Sequence, residues 1–368
     1  MDQFRYLSHA QEVIFAPGAR ARLGEAVERA GWKRLLLCSS RSMKANGNVE
    51  RLQSALGDRL VVVFDAVKPH VQDMQVEQVL VLAGSHDIDA VIGMGGGSPI
   101  GMAKAIGFQS ALPIVAIPTT YAGSEMTAVY GVTHTRESPP RKVTVSDPKI
   151  APRLVIYDPE LTLDLPPELT ASTGINALAH CIEALYSITR HPLSTAAALH
   201  GIRHISNALL LCYQAGKNLE DRTEMLIGAH LAGLSLASVS MGLHHGLCHV
   251  LGGTAHVPHG IANSIILPHA IRFNADTAAS QLLPAVEAMG ISANVSSPVA
   301  AVEALAQKVS ELVRSMNLPQ RLRDAGVNVK ESDLPHLAGI AFQNRTVQNN
   351  PKPITEPIQI ETLLRNAW

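Results

Sequence analysis

Residues 243–269 read LHHGLCHVLGGTAHVPHGIANSIILPH and hold six of the chain's sixteen histidines: His244, His245, His249, His256, His259 and His269. In a helix, His245 and His249 stand one turn apart on the same face. Gly252 and Gly253 are expected to break that helix. Pro258-His259-Gly260 reads as the start of the next one, with His259 at its N-terminal end. Two helices meeting at such a corner aim several imidazoles at one place. A neutral imidazole binds divalent metals, and imidazole exchanges protons near neutral pH, so the cluster points to a metal site, acid–base chemistry or both. A lone helical histidine is ordinarily polar surface or satisfied core; the clustering beside glycines carries the functional reading. Upstream, residues 173–187 are strongly amphipathic, with Asn176 and His180 again one turn apart.

Composition bounds what these residues can serve. At 368 residues the natural expectation is two domains. The formal net charge is −1 with no basic block, which gives no electrostatic reason to expect nucleic acid or an anionic membrane as partner. No stretch approaches twenty uninterrupted apolar residues and the N-terminal residues lack a signal-peptide pattern, so a cytoplasmic protein is expected. Cys38, Cys181, Cys212 and Cys248 are far apart and form no CxxC pair, which reads as small buried hydrophobes in a reducing compartment.

The elements that must position the site fall into two halves. Aliphatic runs at 13–15, 34–38, 60–64, 90–93, 113–117 and 153–157 read as strands, with helices at 19–30, 48–56 and 72–85 between them. Continuous apolar strands alternating with helices predict a parallel sheet covered on both faces, an α/β domain over 1–158. Residues 130–133 and 142–145 read as a β-hairpin arm around RESPPR. Beyond Pro166-Pro167 helical periodicity takes over, with helices at 222–240, 299–316 and 334–342, predicting an all-helical domain over 159–368.

The turn after the fourth strand, GMGGGSP over 93–99, lies between a strand and a helix, where backbone N–H groups can crowd around a phosphate. It is neither GxGxxG after the first strand nor a P-loop, so a diphosphate-binding turn in a non-standard position is the reading. The next strand ends in Pro118-Thr119-Thr120-Tyr121-Ala122-Gly123-Ser124-Glu125, placing hydroxyls where open α/β sheets bind ligands.

GGGS after a strand, PTTYAGSE, an Asn-x-x-x-His helix and His-x-x-x-His followed by Pro-His-Gly together resemble the iron-containing alcohol dehydrogenases, which share a fold with dehydroquinate synthase and glycerol dehydrogenase. The resemblance spans nearly the whole chain in order. It implies a nucleotide-binding α/β domain, a helical C-terminal domain and NADH or NADPH as cofactor. Gly95, Gly96, Gly97 and Ser98 are then expected at the diphosphate, and Thr119, Thr120, Tyr121 and Ser124 near the ribose or nicotinamide. Ser39 closes the second strand where an acidic residue would select NAD, so either cofactor is expected. Metal-dependent members bind Fe or Zn through an aspartate and three histidines, whose positions here are Asn176, His180, His245 and His259. A neutral amide is a poor ligand beside imidazoles, so the expectation is that no metal is required.

Within the family, the branch most similar to this chain is that of the maleylacetate reductases. The marks are Asn176 in place of the aspartate, the doubled histidine leading into Cys248-His249-Val250-Leu251-Gly252-Gly253, TTYAGSE, and Gly101 where alcohol dehydrogenases have Asp. His256 has no counterpart role, and Gly246 stands where the branch often has a longer residue. The reaction implied is NAD(P)H-dependent reduction of the carbon–carbon double bond of maleylacetate, with metal-dependent alcohol or aldehyde oxidoreduction as the alternative. An enone carries its own electron sink, so hydride addition leaves an enolate that donors and a proton source can handle. His249 is expected as general acid, with His180, His245 and His259 forming the polar pocket and Asn176 counted with them among the catalytic positions. Tyr121, His244, Lys142, Arg345 and Lys352 are expected around a small dicarboxylate substrate, and a homodimer as the assembly.

Overall fold

In a computed structural model describing residues 3–137, 141–292 and 297–368, six parallel strands form one sheet in the order β1-β8-β5-β4-β2-β3. They are β1 (Glu12–Phe15), β2 (Leu35–Ser39), β3 (Leu60–Phe64), β4 (Ala90–Gly95), β5 (Ile114–Pro118) and β8 (Leu154–Tyr157). The hairpin β6 (Val129–His134) and β7 (Arg141–Ser146) pairs Tyr130 with Val145 and Thr133 with Lys142. Residues 138–140 of its tip lie outside the described residues. The helices of this half are α1 (Leu23–Arg29), α2 (Arg41–Ala45), α3 (Asn48–Leu56), α4 (Asp73–Ser85) and α5 (Gly97–Ser110).

Strand periodicity explains the layering. Leu35, Leu37, Ile92 and Met94 face one way, into a core with α1 and α3 residues such as Leu23 and Leu52. Leu36, Cys38 and Val91 face the other way, against Val79 of α4 and Met102 and Ile106 of α5. Strands β2, β4, β5 and β8 are buried throughout, as expected for a parallel sheet covered on both faces. The chain leaves β2 for β3 in one direction and β4 for β5 in the other. The carboxyl ends of β2 and β4 therefore flank a switch point, where Ser39 lies opposite Met94 and Gly95 opposite Pro118 on β5.

The second half is helical, as expected: α6 (Pro167–Tyr186), α7 (Pro192–Gln214), α8 (Leu219–Ser238), α9 (Leu243–Thr254), α10 (His259–Ala288), α11 (Pro298–Ser315), α12 (Leu334–Phe342), α13 (Arg345–Gln348) and α14 (Pro357–Asn366). Two compact units result. One comprises residues 8–165 and 217–226, the other residues 1–7, 166–216 and 227–368. In the second, Leu243, Leu247 and Leu251 form one stripe of α9, packed in a core with Ile265, Ile266, Leu337 and Leu363. Among the described residues no single helix is long and apolar enough to cross a membrane.

One boundary at the histidine corner differs from expectation. Gly252 and Gly253 do not break α9, which runs through them to Thr254. The break comes at Ala255–Pro258, where His256 takes a left-handed φ of 57° and the Val257 N–H returns to the Leu251 carbonyl. Histidine tolerates that backbone region better than most side chains, which accounts for His256 as a turn residue.

Candidate active site

Asn176, His180 and Glu183 share one face of α6 by their spacing, and the helix is not amphipathic as expected but buried all round from Gly174 to Tyr186, being central to its unit. The Glu183 carboxylate sits at the start of α9, where helix N–H groups lack intrahelical partners. It accepts from the backbone N–H groups of Gly242 at 2.8 Å, His244 at 3.1 Å and His245 at 3.3 Å, and it contacts His245 Nδ1. Burial opposes charge on Glu183, but the His245 and His244 imidazoles hold its carboxyl below the usual carboxylate range.

The His245 ring stacks on His180 with centroids 4.6 Å apart and planes at 15°. Both residues are only 3 % exposed, and His180 Nδ1 and His245 Nε2 have no hydrogen-bond partner among the described residues. Burial, then His245, His259 and His244, push His180 well below the ordinary histidine value, so its ring is neutral at pH 7. His249 and His259 form the outer part of the cluster. Both are exposed and their rings stack at 5.7 Å, each 6.5 Å from the His245 ring. His259 reaches this position because α10 starts tightly against α6; a Cβ on Gly260 would lie 2.6 Å from Ser172 Cβ. His180, His245, His249 and His259 are thus brought together as expected.

His244, expected around the substrate, is sealed in the interior. It is fully buried, with Nε2 3.3 Å from the Asn263 carbonyl oxygen and Nδ1 3.2 Å from His245 Nδ1. Lys352 is likewise spent elsewhere, on Asp276 at 2.8 Å and over the Phe273 ring at 4.8 Å, in a pocket it shares with His269 and Arg272. Arg345 is exposed at the first turn of α13, and Lys142 on β7 lays its stem over Gly131.

In the α/β unit, the glycine-rich turn joins β4 to α5. Gly95 has φ 144° and its Cβ would lie 2.7 Å from Pro99 Cγ, so only glycine fits. Gly96 caps α5, and a Cβ on Gly97 would meet nothing within 4 Å, leaving open space above the helix N-terminus, where the dipole favours an anion. Ser98 Oγ accepts from the His70 N–H at 3.2 Å. Gly101 lies beneath Val71, whose Cγ2 would be 2.9 Å from a Cβ there, so any side chain at 101 would require Val71 to shift. Gly96 also faces Thr120, and the Thr119 N–H donates to the Gly95 carbonyl at 3.0 Å, which joins the turn to the 119–124 loop.

Two hydroxyls expected at the cofactor turn inward instead. Ser39 Oγ is buried and donates to the Met94 carbonyl at 3.2 Å, because side chains at this sheet position point into the core. The Tyr121 hydroxyl accepts from buried Arg222 at 2.8 Å, so that ring anchors its loop to the first turn of α8.

Three buried charges were not singled out from sequence. Glu183 had a legible signal, since Asn176, His180 and Glu183 follow the i, i+4, i+7 spacing of one helix face. Lys104 stands alone in the small apolar run of α5, where its Nζ donates to Thr127 Oγ1 and the Val129 carbonyl, each at 2.9 Å, and to the Ser124 carbonyl. Arg222 carried no such signal.

The family model for iron-containing alcohol dehydrogenases matches residues 10–159, and the model for the C-terminal part of the Fe-containing alcohol dehydrogenase family matches residues 170–368. The chain belongs to the iron-containing alcohol dehydrogenase family. Among curated family members it is 37 % identical over 368 residues to a maleylacetate reductase of Burkholderia cepacia, covering 100 % of this chain and 98 % of that one. It is 36 % identical over 356 residues to a maleylacetate reductase of Pseudomonas knackmussii, covering 97 % and 95 %. The crystal structure of maleylacetate reductase from Agrobacterium tumefaciens superposes with a TM-score of 0.90 at 33 % identity, covering 100 % and 99 %.

The family's metal positions can be tested on this geometry. His180 and His245 offer buried nitrogens without partners among the described residues, and His245 rests its other nitrogen on a carboxylate, the usual arrangement behind a metal-bound histidine. His180 and His245 therefore offer two nitrogens to a divalent metal, with the His259 ring 6.5 Å from that of His245 and Asn176 supplying no charge; among the described residues the tight cluster of possible ligand atoms, all within 4.8 Å, is Glu183, His244 and His245. The expectation of a metal-free site, which rested on Asn176, finds no support in the rest of the donor set.

Proposed function

We propose that this protein reduces maleylacetate to 3-oxoadipate with NADH or NADPH. The observation that carries the reading is the end-to-end similarity to maleylacetate reductases, supported by Asn176 in place of the family's aspartate and by the histidine corner. When bound, the reduced nicotinamide supplies a hydride. The N-terminus of α5 and the backbone of Gly96, Gly97 and Ser98 would hold the diphosphate by N–H donation and the helix dipole. The 119–124 loop, tied to Gly95 and anchored through Tyr121 and Arg222, orients the rest of the cofactor.

Hydride addition at the alkene carbon remote from the ketone leaves an enolate, and the carbon next to the ketone then takes a proton. His249 is exposed and lies at the rim of the cluster, so it can deliver that proton and recover one from solvent. His180, His245 and His259 would hold a metal, which when bound supplies a Lewis acid at the ketone oxygen. The two buried nitrogens without partners favour, as a second reading, metal-dependent oxidoreduction of an alcohol or aldehyde.

The test is oxidation of NADH and of NADPH with maleylacetate, on protein of known metal content before and after chelation. Turnover with maleylacetate supports the reductase. Turnover with simple aldehydes and none with maleylacetate replaces it by the second reading.

A further inference from the structure

Glu183 does more than close the end of a helix. It is fully buried, and its oxygens meet three backbone N–H groups and the Nδ1 atoms of His245 and, at 3.8 Å, His244. Oε1 receives the N–H groups of Gly242 and His244, and Oε2 receives the N–H of His245 and meets His245 Nδ1. A carboxylate can only accept, so the proton of the His245 ring must sit on Nδ1. In the neutral ring Nε2 is then a bare lone pair, and Nε2 is the buried nitrogen with no partner among the described residues. The same carboxylate fixes the ring from two sides. It holds the backbone of residues 242–245 and the ring itself, while belonging to the helix that carries Asn176 and His180.

We propose that Glu183 is a positioning residue that locks His245 in its Nδ1–H form and so makes Nε2 the reactive face of the ring. The proposal rests on the reading of the histidine cluster as the active site, and it assigns the side of His245 that meets substrate or metal. A carboxamide at 183 would keep the size and one accepting oxygen, but would present an N–H to Nδ1. The ring would then carry its proton on Nε2, and the lone pair would turn away from the site.

Two variants separate this from a purely structural cap. Glu183→Gln preserves shape and reverses the hydrogen-bond polarity; Glu183→Asp preserves polarity and shortens the arm. The proposal expects Gln to lose the more activity, with kcat down on the order of 10- to 100-fold, although Asp lowers the melting temperature further. NADH affinity, read by fluorescence, should stay within twofold in both. A double-mutant cycle completes the test: with His245→Ala already in place, Glu183→Gln should change kcat less than twofold. Metal content is measured for each variant so that rates are compared at equal loading. A Gln variant more active than the Asp variant, or losses that multiply in the cycle, would overturn the proposal and leave Glu183 a cap. Failure of the unaltered protein to turn over maleylacetate would instead count against the function proposed above. The ranking would then be read on whichever substrate the protein does accept.

Discussion

Removing Lys104 should change the way stability depends on pH. The side chain is fully buried on α5, and burial, against the pull of Glu125, brings its ammonium down to about 7. In the unfolded chain the same group titrates at about 10.5. Between these values the unfolded state binds more protons than the folded one, so stability rises with pH across that window. At about 1.36 kcal/mol per pH unit the buried charge costs the folded state about 5 kcal/mol at low pH, of which about 2 kcal/mol is relieved between pH 7 and pH 9. Lys104→Met removes this dependence. It also removes the ammonium donor shared by the Ser124 and Val129 carbonyls and Thr127 Oγ1, although the Ser124 carbonyl keeps the Thr127 N–H at 3.1 Å, so the loss costs about 1–3 kcal/mol for any acceptor left unsatisfied. The assay is urea unfolding of both proteins at pH 6.5, 7.5, 8.5 and 9.5. The variant should be flatter with pH than its parent, so that the parent gains about 2 kcal/mol on it between pH 7 and pH 9. Parallel curves would show that Lys104 is not a charge held at a cost, and the reasoning would fail.

Replacing His249 with Ala should lower kcat by about 10²- to 10⁴-fold with little change in NADH affinity, since the role proposed for this exposed rim imidazole is delivery of a proton; undiminished kcat in steady-state assays would remove it as the acid. A Cβ at Gly246 would lie 2.4 Å from Val347 Cγ2 and 2.9 Å from the Val347 backbone nitrogen. Gly246→Ala should therefore force α9 from α13 and destabilise by about 1–3 kcal/mol in denaturant unfolding, and an unchanged midpoint would contradict that packing. Asn176→Asp should raise the affinity of chelator-stripped protein for Zn2+, because it returns an anionic donor beside His180; calorimetric titration showing equal affinity would place residue 176 outside the donor set.

Much of this molecule can be read from local pattern. Strand positions 60–64 and helix positions 48–56 and 334–342 coincide with the observed elements, because apolar periodicity at each is unambiguous. The pairing of His245 with His249, the start of α10 at His259 and the glycine turn before α5 depend on spacing within one segment, and they stand as expected. The end of α9 does not, because tertiary packing carried the helix through Gly252 and Gly253 and only the turn at His256 and Pro258 stopped it. Which face a side chain turns was also hidden. Ser39 and Tyr121 sit at the expected chain positions, yet Met94 and Arg222 take their hydroxyls. His244 and His245 are adjacent and chemically identical, yet one is sealed against Asn263 and the other opens toward His180. That distinction depends on a carboxylate sixty-two residues upstream of His245. Residue type and short-range spacing thus determined the chemistry available to the chain, since they act within a turn or a strand. Which nitrogen is bare, which charge is buried and which hydroxyl is spent were decided only by folding, because each depends on a partner distant in sequence.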